Sequence, residues 1–194
     1  MRYRVPICVM ALFVCGLMLA PEPLPAQAAN SSSAAASDGQ HDFDFEFGTW
    51  DVRLSRLLRP LSGSDEWVVY EGTSTVHPLW DGRANVGELA VEGPAGSILG
   101  MSLRLYDPAA RQWHIRWANS RDGAMGEPMI GEFGDGRGEF YNQELFNGRA
   151  IFVRFIFSDI TADSFRLEQA FSVDGGQSWE ANWIAEFRRR ASGT

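Results

Sequence analysis

Lysine is missing from this 194-residue chain: all 17 basic residues are Arg, against 25 Asp and Glu, for a formal net charge of −8. A surface of that sign repels phosphate backbones and anionic lipid, so nucleic acid is not an expected partner. The one basic cluster, Arg188-Arg189-Arg190, ends the last regular stretch and reads as a solvated chain end. Cysteine is nearly missing too. Cys8 and Cys15 both lie in the first 28 residues, and no thiol follows them. If that segment is removed, disulfides, Cys nucleophiles and Cys-ligated metals are excluded together. Apolar runs long enough to cross a bilayer are also lacking. The longest, over residues 5–20, is about 16 residues, short of the ~20 that a span requires.

That first run has the make-up of an export signal. Arg2 and Arg4 precede it, Pro21, Pro23 and Pro25 stop it, and Ala26-Gln27-Ala28 offers the small-x-small pattern of a cleavage site. The expectation is a signal peptide at 1–28 and a periplasmic or secreted product with no transmembrane segment. Leu12-Phe13-Val14-Cys15 falls short of a lipoprotein box because Val14 is not small, so anchoring through Cys15 is not expected. Residues 29–40 carry no large apolar side chain and read as a flexible linker. The domain is expected at 41–190, with a tail at 191–194. At roughly 150 residues it can bury about 68–70% of its chain surface without staples.

Helical spacing is absent from that domain, and period two runs through it. Trp50, Val52 and Leu54 alternate with Asp51, Arg53 and Ser55. Leu99, Met101, Leu103 and Leu105 alternate with Gly100, Ser102 and Arg104; Trp113, Ile115 and Trp117 alternate with His114 and Arg116. Later stretches repeat the pattern at 151–157, 165–171 and 179–187, with weaker ones at 66–76, 84–92, 128–133 and 138–145. Each is a half-buried strand signal. Turn dipeptides divide them, among them Asp81-Gly82, Asp135-Gly136, Asn147-Gly148 and Asp174-Gly175. Short turns join antiparallel neighbours. The fold expected is all-β, an antiparallel up-and-down barrel of nine to ten strands, because closure removes exposed edges. Helix is expected for a turn or two at most, near 56–62 and 108–111.

The strand pattern leaves three functional readings open. In the first, the apolar register lines a hollow interior. Met101, Trp113, Trp117, Phe155 and Trp183 would then form an aromatic pocket with Gln169 as its polar anchor, and Ala181 and Ala185 would leave room for a small apolar or aromatic molecule. In the second, the polar register is the site, and Arg104, Arg116, His114 and Glu168 act on a small anionic substrate; His114 facing inward would also suit haem. In the third, the core is filled and the barrel is structural. The first is preferred, since burying four arginines against few partners is costly. Arg104, Arg116, Arg154 and Arg166 are therefore expected outside, paired with Glu168 and Glu186. No catalytic residue, metal site or cofactor is assigned. No Gly-x-Ser-x-Gly is present, and the three histidines lack a Ser/Asp constellation. His41, Asp42, Asp44 and Glu46 read as a solvated lead strand rather than an ion site, with the carboxylates on one face and Phe43, Phe45 and Phe47 beneath. The state expected is a monomer or weak dimer.

Several strings also carry a likeness to known families. Phe43-Asp44-Phe45-Glu46-Phe47-Gly48-Thr49-Trp50 holds a Gly-x-Trp, Gly48 to Trp50, at the start of the first strand. It resembles the opening of calycin-type barrels: lipocalins, fatty-acid-binding proteins and nitrobindin-like proteins. The resemblance implies a barrel end closed by Trp50 beneath a late arginine, Arg188 or Arg190, with Arg188 the candidate. Pro78-Leu79-Trp80-Asp81-Gly82-Arg83, Leu103-Arg104-Leu105-Tyr106-Asp107-Pro108, Trp113-His114-Ile115-Arg116-Trp117 and Trp179-Glu180-Ala181-Asn182-Trp183 resemble a bacterial family catalogued as domain of unknown function 1579. That likeness implies a lipocalin-like barrel and carries no reaction. Ser172-Val173-Asp174-Gly175-Gly176-Gln177-Ser178-Trp179 matches the Asp-box of sialidase propellers. A single copy reads as a hairpin turn, since a propeller repeats the box from blade to blade.

Overall fold

The computed structural model describes residues 38–191. The export signal expected at 1–28, both cysteines and most of the 29–40 linker lie outside them. After a 3-10 turn at Asp44–Glu46 come ten strands: β1 (Gly48–Leu57), β2 (Trp67–Leu79), β3 (Ala84–Gly93), β4 (Gly96–Asp107), β5 (Gln112–Asn119), β6 (Met129–Gly134), β7 (Arg137–Phe146), β8 (Arg149–Ser158), β9 (Ser164–Ser172) and β10 (Glu180–Arg189). Each pairs antiparallel with its neighbour in sequence, and β1 also pairs with β10, so the sheet closes as an up-and-down barrel.

Turn chemistry sets the tight hairpins. Asp135-Gly136 joins β6 to β7 and Asn147-Gly148 joins β7 to β8, with both residues of each pair at positive φ, the geometry that matches strand twist. The helical turns expected near 56–62 and 108–111 are not there: β1 runs through Leu57, and 108–111 is the turn between β4 and β5.

The ends of the barrel differ. One is filled by the N-terminal segment. Phe43 is fully buried, with ring centroids 5.0 Å from Trp113, 4.9 Å from Phe133 and 5.3 Å from Phe157. Trp50 donates its indole N–H to the Glu46 carbonyl at 2.7 Å and packs edge-on against Phe165. Its cationic lid is Arg189, not Arg188 or Arg190. The Arg189 guanidinium sits 4.1 Å from the Trp50 ring and donates to the carbonyls of Phe45 and Phe47, both at 2.8 Å. Strand parity is the reason: Arg189 is paired with Trp50 and follows the inward-facing Ala185 and Phe187 by even steps, which leaves Arg188 exposed. Gly48, at φ +113, makes room for this lid, because a Cβ there would lie 3.1 Å from Arg189 Nη1.

Strand β4 reverses the expected register. Ile98, Ser102, Arg104 and Tyr106 are buried, whereas Leu99 and Met101 are exposed. The cause is the Trp117 indole on β5, which covers the inner side of Gly100: a Cβ at Gly100 would come within 2.0 Å of it. Only the register that presents glycine there leaves space for the ring, so the more apolar side of β4 turns outward.

Strand β10 carries a second departure. Ala181 pairs with Ala170 and Trp183 with Gln169, so Asn182 is the extra residue of a bulge. The bulge turns Asn182 to the inside and takes Ala181 out of the inward sequence.

Candidate functional site

Above the filled end the barrel is hollow. A cavity of about 450 Å³ runs from the Glu46–Arg104 level to the opposite mouth. Arg56, Arg121 and Glu127 line it and are themselves exposed, so the cavity reaches solvent between the 58–66 and 120–128 connections. Its volume falls in the usual range of small-molecule sites, ~300–1,000 Å³.

Of the residues expected to form a pocket, Trp117, Phe155, Gln169 and Trp183 line this cavity. The Trp117 and Trp183 rings approach edge to face at 6.2 Å. Ala185 also lines it, and Ala181 does not. Two other expectations are corrected. Met101 is on the outer surface, for the register reason above. Trp113 belongs to the filled end, where its indole N–H donates to the Gly39 carbonyl at 2.9 Å. Filled core and hollow interior therefore occupy different halves of one barrel.

Besides the expected Gln169, the walls contain polar groups that the sequence pattern did not reveal. Gln169 donates to the Asn182 side-chain oxygen at 2.6 Å, and the β10 bulge is what brings the two together. Glu144 lines the mouth, where partial burial pushes its carboxyl above the ordinary range. Ser74 and Ser102 line the lower wall on β2 and β4.

The largest surprise is the floor. Glu46 and Arg104, at 2% and 7% exposure, form an ion pair of 2.7 Å inside the barrel. Arg104 also donates to the Asn85 side-chain oxygen at 2.8 Å, and its guanidinium lies 4.9 Å from the Phe43 ring. Desolvation raises the Glu46 pKa against the lowering pull of Arg104; it lowers the Arg104 pKa against the raising pull of Glu46. The lead segment is thus not a solvated strand with three aligned carboxylates. It turns at Asp44–Glu46, pairs His41 with Asp44 at 2.9 Å and sends Glu46 inward. Glu46 lies three residues after the buried Phe43, so a single 3-10 turn puts the two side chains on the same side.

The polar constellation considered for catalysis is not assembled. Arg104 is inside, while His114 and Arg116 are on the outward register of β5, and Arg116 donates to the Gly126 carbonyl. Glu168 is on the outer face of β9, 2.8 Å from Arg166 and 3.7 Å from Arg154. Among the described residues, no group of three or more His, Cys, Asp or Glu side chains is placed to hold a metal. The single Asp-box is a turn. Asp174 accepts from the Ser178 backbone at 2.9 Å and from the Ser172 and Ser178 hydroxyls, which holds its pKa at about 2, and Trp179 donates back to the Gly176 carbonyl.

No protein-family model matches the chain, and no curated protein matches it. Among solved structures the chain is similar to the S-type phycobiliprotein lyase CPES from Guillardia theta, with a TM-score of 0.56 at 11% identity over 79% of this chain and 93% of that one. It is also similar to a redesigned β-barrel, mFAP0, bound to DFHBI (TM-score 0.42, 12% identity, 75% and 99% covered). A fluorescence-activating β-barrel designed de novo gives a TM-score of 0.41 at 14% identity, with 76% and 95% covered. The likeness to the lyase is one of fold alone, and the fold of this chain is a closed, antiparallel, lipocalin-like barrel of ten strands.

Proposed function

We propose that this chain is an exported binding protein that holds a small apolar or aromatic molecule in its barrel. The observation that carries the reading is the solvent-connected cavity of about 450 Å³, walled by Trp117, Trp183, Phe155 and Phe171. A chain selected only for stability would close such a space, because unfilled volume forfeits packing: about 24 cal/mol is lost per Å³ of cavity left behind in a core. Export rests on the signal-like composition of residues 1–28. Kinship with domain of unknown function 1579 is part of the same reading and rests on the sequence strings alone.

Two measurements test it. Nile red, a neutral apolar dye, is expected to bind the full chain with one-to-one stoichiometry and a blue-shifted emission. Native mass spectrometry of protein taken gently from its own compartment is expected to find a retained small molecule. A chain that comes out bare and leaves the dye dark sinks the proposal.

A further inference from the structure

Near the mouth the cavity wall carries an acidic group that nothing in the barrel neutralises. Strand β7 turns Asn142, Glu144 and Phe146 to its inner side, where all three line the cavity, and leaves Leu145 74% exposed on the outer side. Strand parity fixes that face, because the fully buried Phe140 lies four residues before Glu144. Parity decides that position 144 points inward; it does not require a carboxylate there. Glu144 is paired in register with the buried Ile151 of β8. Among the described residues no arginine pairs with it, and desolvation is the one influence that raises its pKa. The side chain is half-buried, and neither carboxylate oxygen is sealed from solvent. A carboxylate held in an apolar wall without a cation costs free energy that a ligand can recover.

The surroundings favour positive charge. Phe146 and Phe171 line the cavity with ring centroids 5.2 Å apart, and their π systems, like those of Trp117 and Trp183, attract a cation. Arg56 and Arg121 line the cavity too, but both are exposed, where a charge pair is worth little. Arg56 is on β1, four strands from β7 around the barrel, and Arg121 donates to the Ser97 carbonyl at 2.6 Å. The exposed Glu88 and Glu127 add two more carboxylates to the lining, and at the floor Glu46 offsets Arg104. At longer range the net charge of −8 draws cations and repels anions.

We infer that the cavity takes a cationic ligand, an aromatic or alkyl amine whose apolar body occupies the aromatic interior and whose ammonium group pairs with Glu144 near the mouth. The ammonium N–H would donate to the Glu144 carboxylate. A neutral ligand is disfavoured because it leaves that carboxylate unpaired, and an anionic one because it brings like charges together. Since Glu144 is half-buried, salt screens the pair less than it would a fully exposed one. The inference deepens the binding reading and rests on it.

The test uses the full chain and three probes that share one naphthalene body: 2-naphthylmethylamine, a cation at neutral pH; 2-naphthylmethanol, which is neutral; and 2-naphthaleneacetate, an anion. Each competes with Nile red, while the Glu144 side-chain carboxyl carbon, assigned through the backbone, is followed by carbon-13 NMR. The amine is expected to displace the dye at least about ten-fold better than the alcohol, the scale of a charge-assisted hydrogen bond. It should also shift the Glu144 carboxyl signal where the alcohol does not. Glu144→Gln keeps the shape and removes the charge, so it should bind Nile red as the original chain does and lose the preference for the amine. If Nile red binds but amine and alcohol compete equally and the carboxyl signal stays put, the Glu144 assignment is overturned while the cavity reading stands. A preference for the amine that survives in Glu144→Gln overturns it as well, because the other carboxylates then suffice. A preference for 2-naphthaleneacetate overturns it in favour of an anion site at Arg56 and Arg121. If neither the dye nor any probe engages the chain by fluorescence or NMR, both readings fall together.

Discussion

Glu46 and Arg104 show how an ion pair can occupy a barrel interior without being its main source of stability. Desolvating two charges costs several kcal/mol, and their attraction repays it only in part. Removing one partner is worse than removing both, and the two removals are unequal. Glu46→Leu leaves a guanidinium that cannot shed its proton, so a loss of about 3–5 kcal/mol is expected. Arg104→Met leaves a carboxyl that can take up a proton, so its cost should be smaller, and the Glu46→Leu/Arg104→Met double variant should be more stable than Glu46→Leu alone. Chemical denaturation of the three variants at neutral pH checks the order. The pH dependence has a definite sign. Burial, the larger effect, raises the Glu46 pKa above its ordinary 4.5, so the folded state holds that proton more tightly than the unfolded chain. The contribution is full below 4.5 and is lost as pH rises from there through the folded pKa. The original chain should therefore lose stability relative to the double variant over that window. Gly100 offers a separate test. Gly100→Val must displace the Trp117 ring, so it is expected to cost about 1–3 kcal/mol by overpacking and to weaken Nile red binding.

The strands are not equally well joined. Most neighbouring pairs are matched over seven to ten residues, but β5 and β6 are paired only from Trp113 to Ile115. Beyond Ile115 the outer half of β5 meets the 120–128 connection through the Ala118–Met125 bridge and the Gly126 N–H to Trp117 carbonyl bond. Fewer ladder bonds mean a lower local opening free energy. Hydrogen exchange is expected to be fastest, among strand amides, at 116–119, and a bound ligand should slow it there, since Trp117 and Asn119 line the cavity. Uniform protection around the barrel would contradict this. The same connection holds Arg121 and Glu127 at the mouth, which makes the seam the natural route of entry. At the same end of the barrel, the Asp-box turn between β9 and β10 is held by Asp174, whose pKa is depressed from 3.8 to about 2, so its contribution is full above 3.8 and is lost as pH falls from there through about 2.

For the barrel as a whole, the absence of thiols in the described residues leaves closure of the sheet and one aromatic core to hold the fold. The protein beginning at residue 29 should unfold at the same temperature with and without reductant, as scanning calorimetry can establish. A shift would point to a covalent link that the sequence does not contain. The closed end concentrates the aromatic packing, with Phe43, Phe133, Phe140 and Phe157 in mutual contact. The mouth has less of it and more polar wall. A rigid base beneath a looser rim is the arrangement that lets a ligand enter without unfolding the container.

Much of this architecture was legible in the chain. Alternation and turn dipeptides depend only on local geometry, and they yielded a closed antiparallel barrel with strands close to where they lie. The aromatic wall of Trp117, Phe155 and Trp183 was legible for the same reason. What needed the folded molecule was every choice between two locally equivalent options. Strand β4 is amphipathic either way, and the bulk of Trp117 over Gly100 selected the less apolar side for the interior. A one-residue bulge brought Asn182 to Gln169, and parity across the closing pair chose Arg189 over its neighbours. Glu46 met Arg104 only because the N-terminal segment folds into the barrel. A side chain's own sequence neighbours determine its period, but which face is buried depends on volumes contributed by residues far away in the chain, and those are brought together only when the sheet closes.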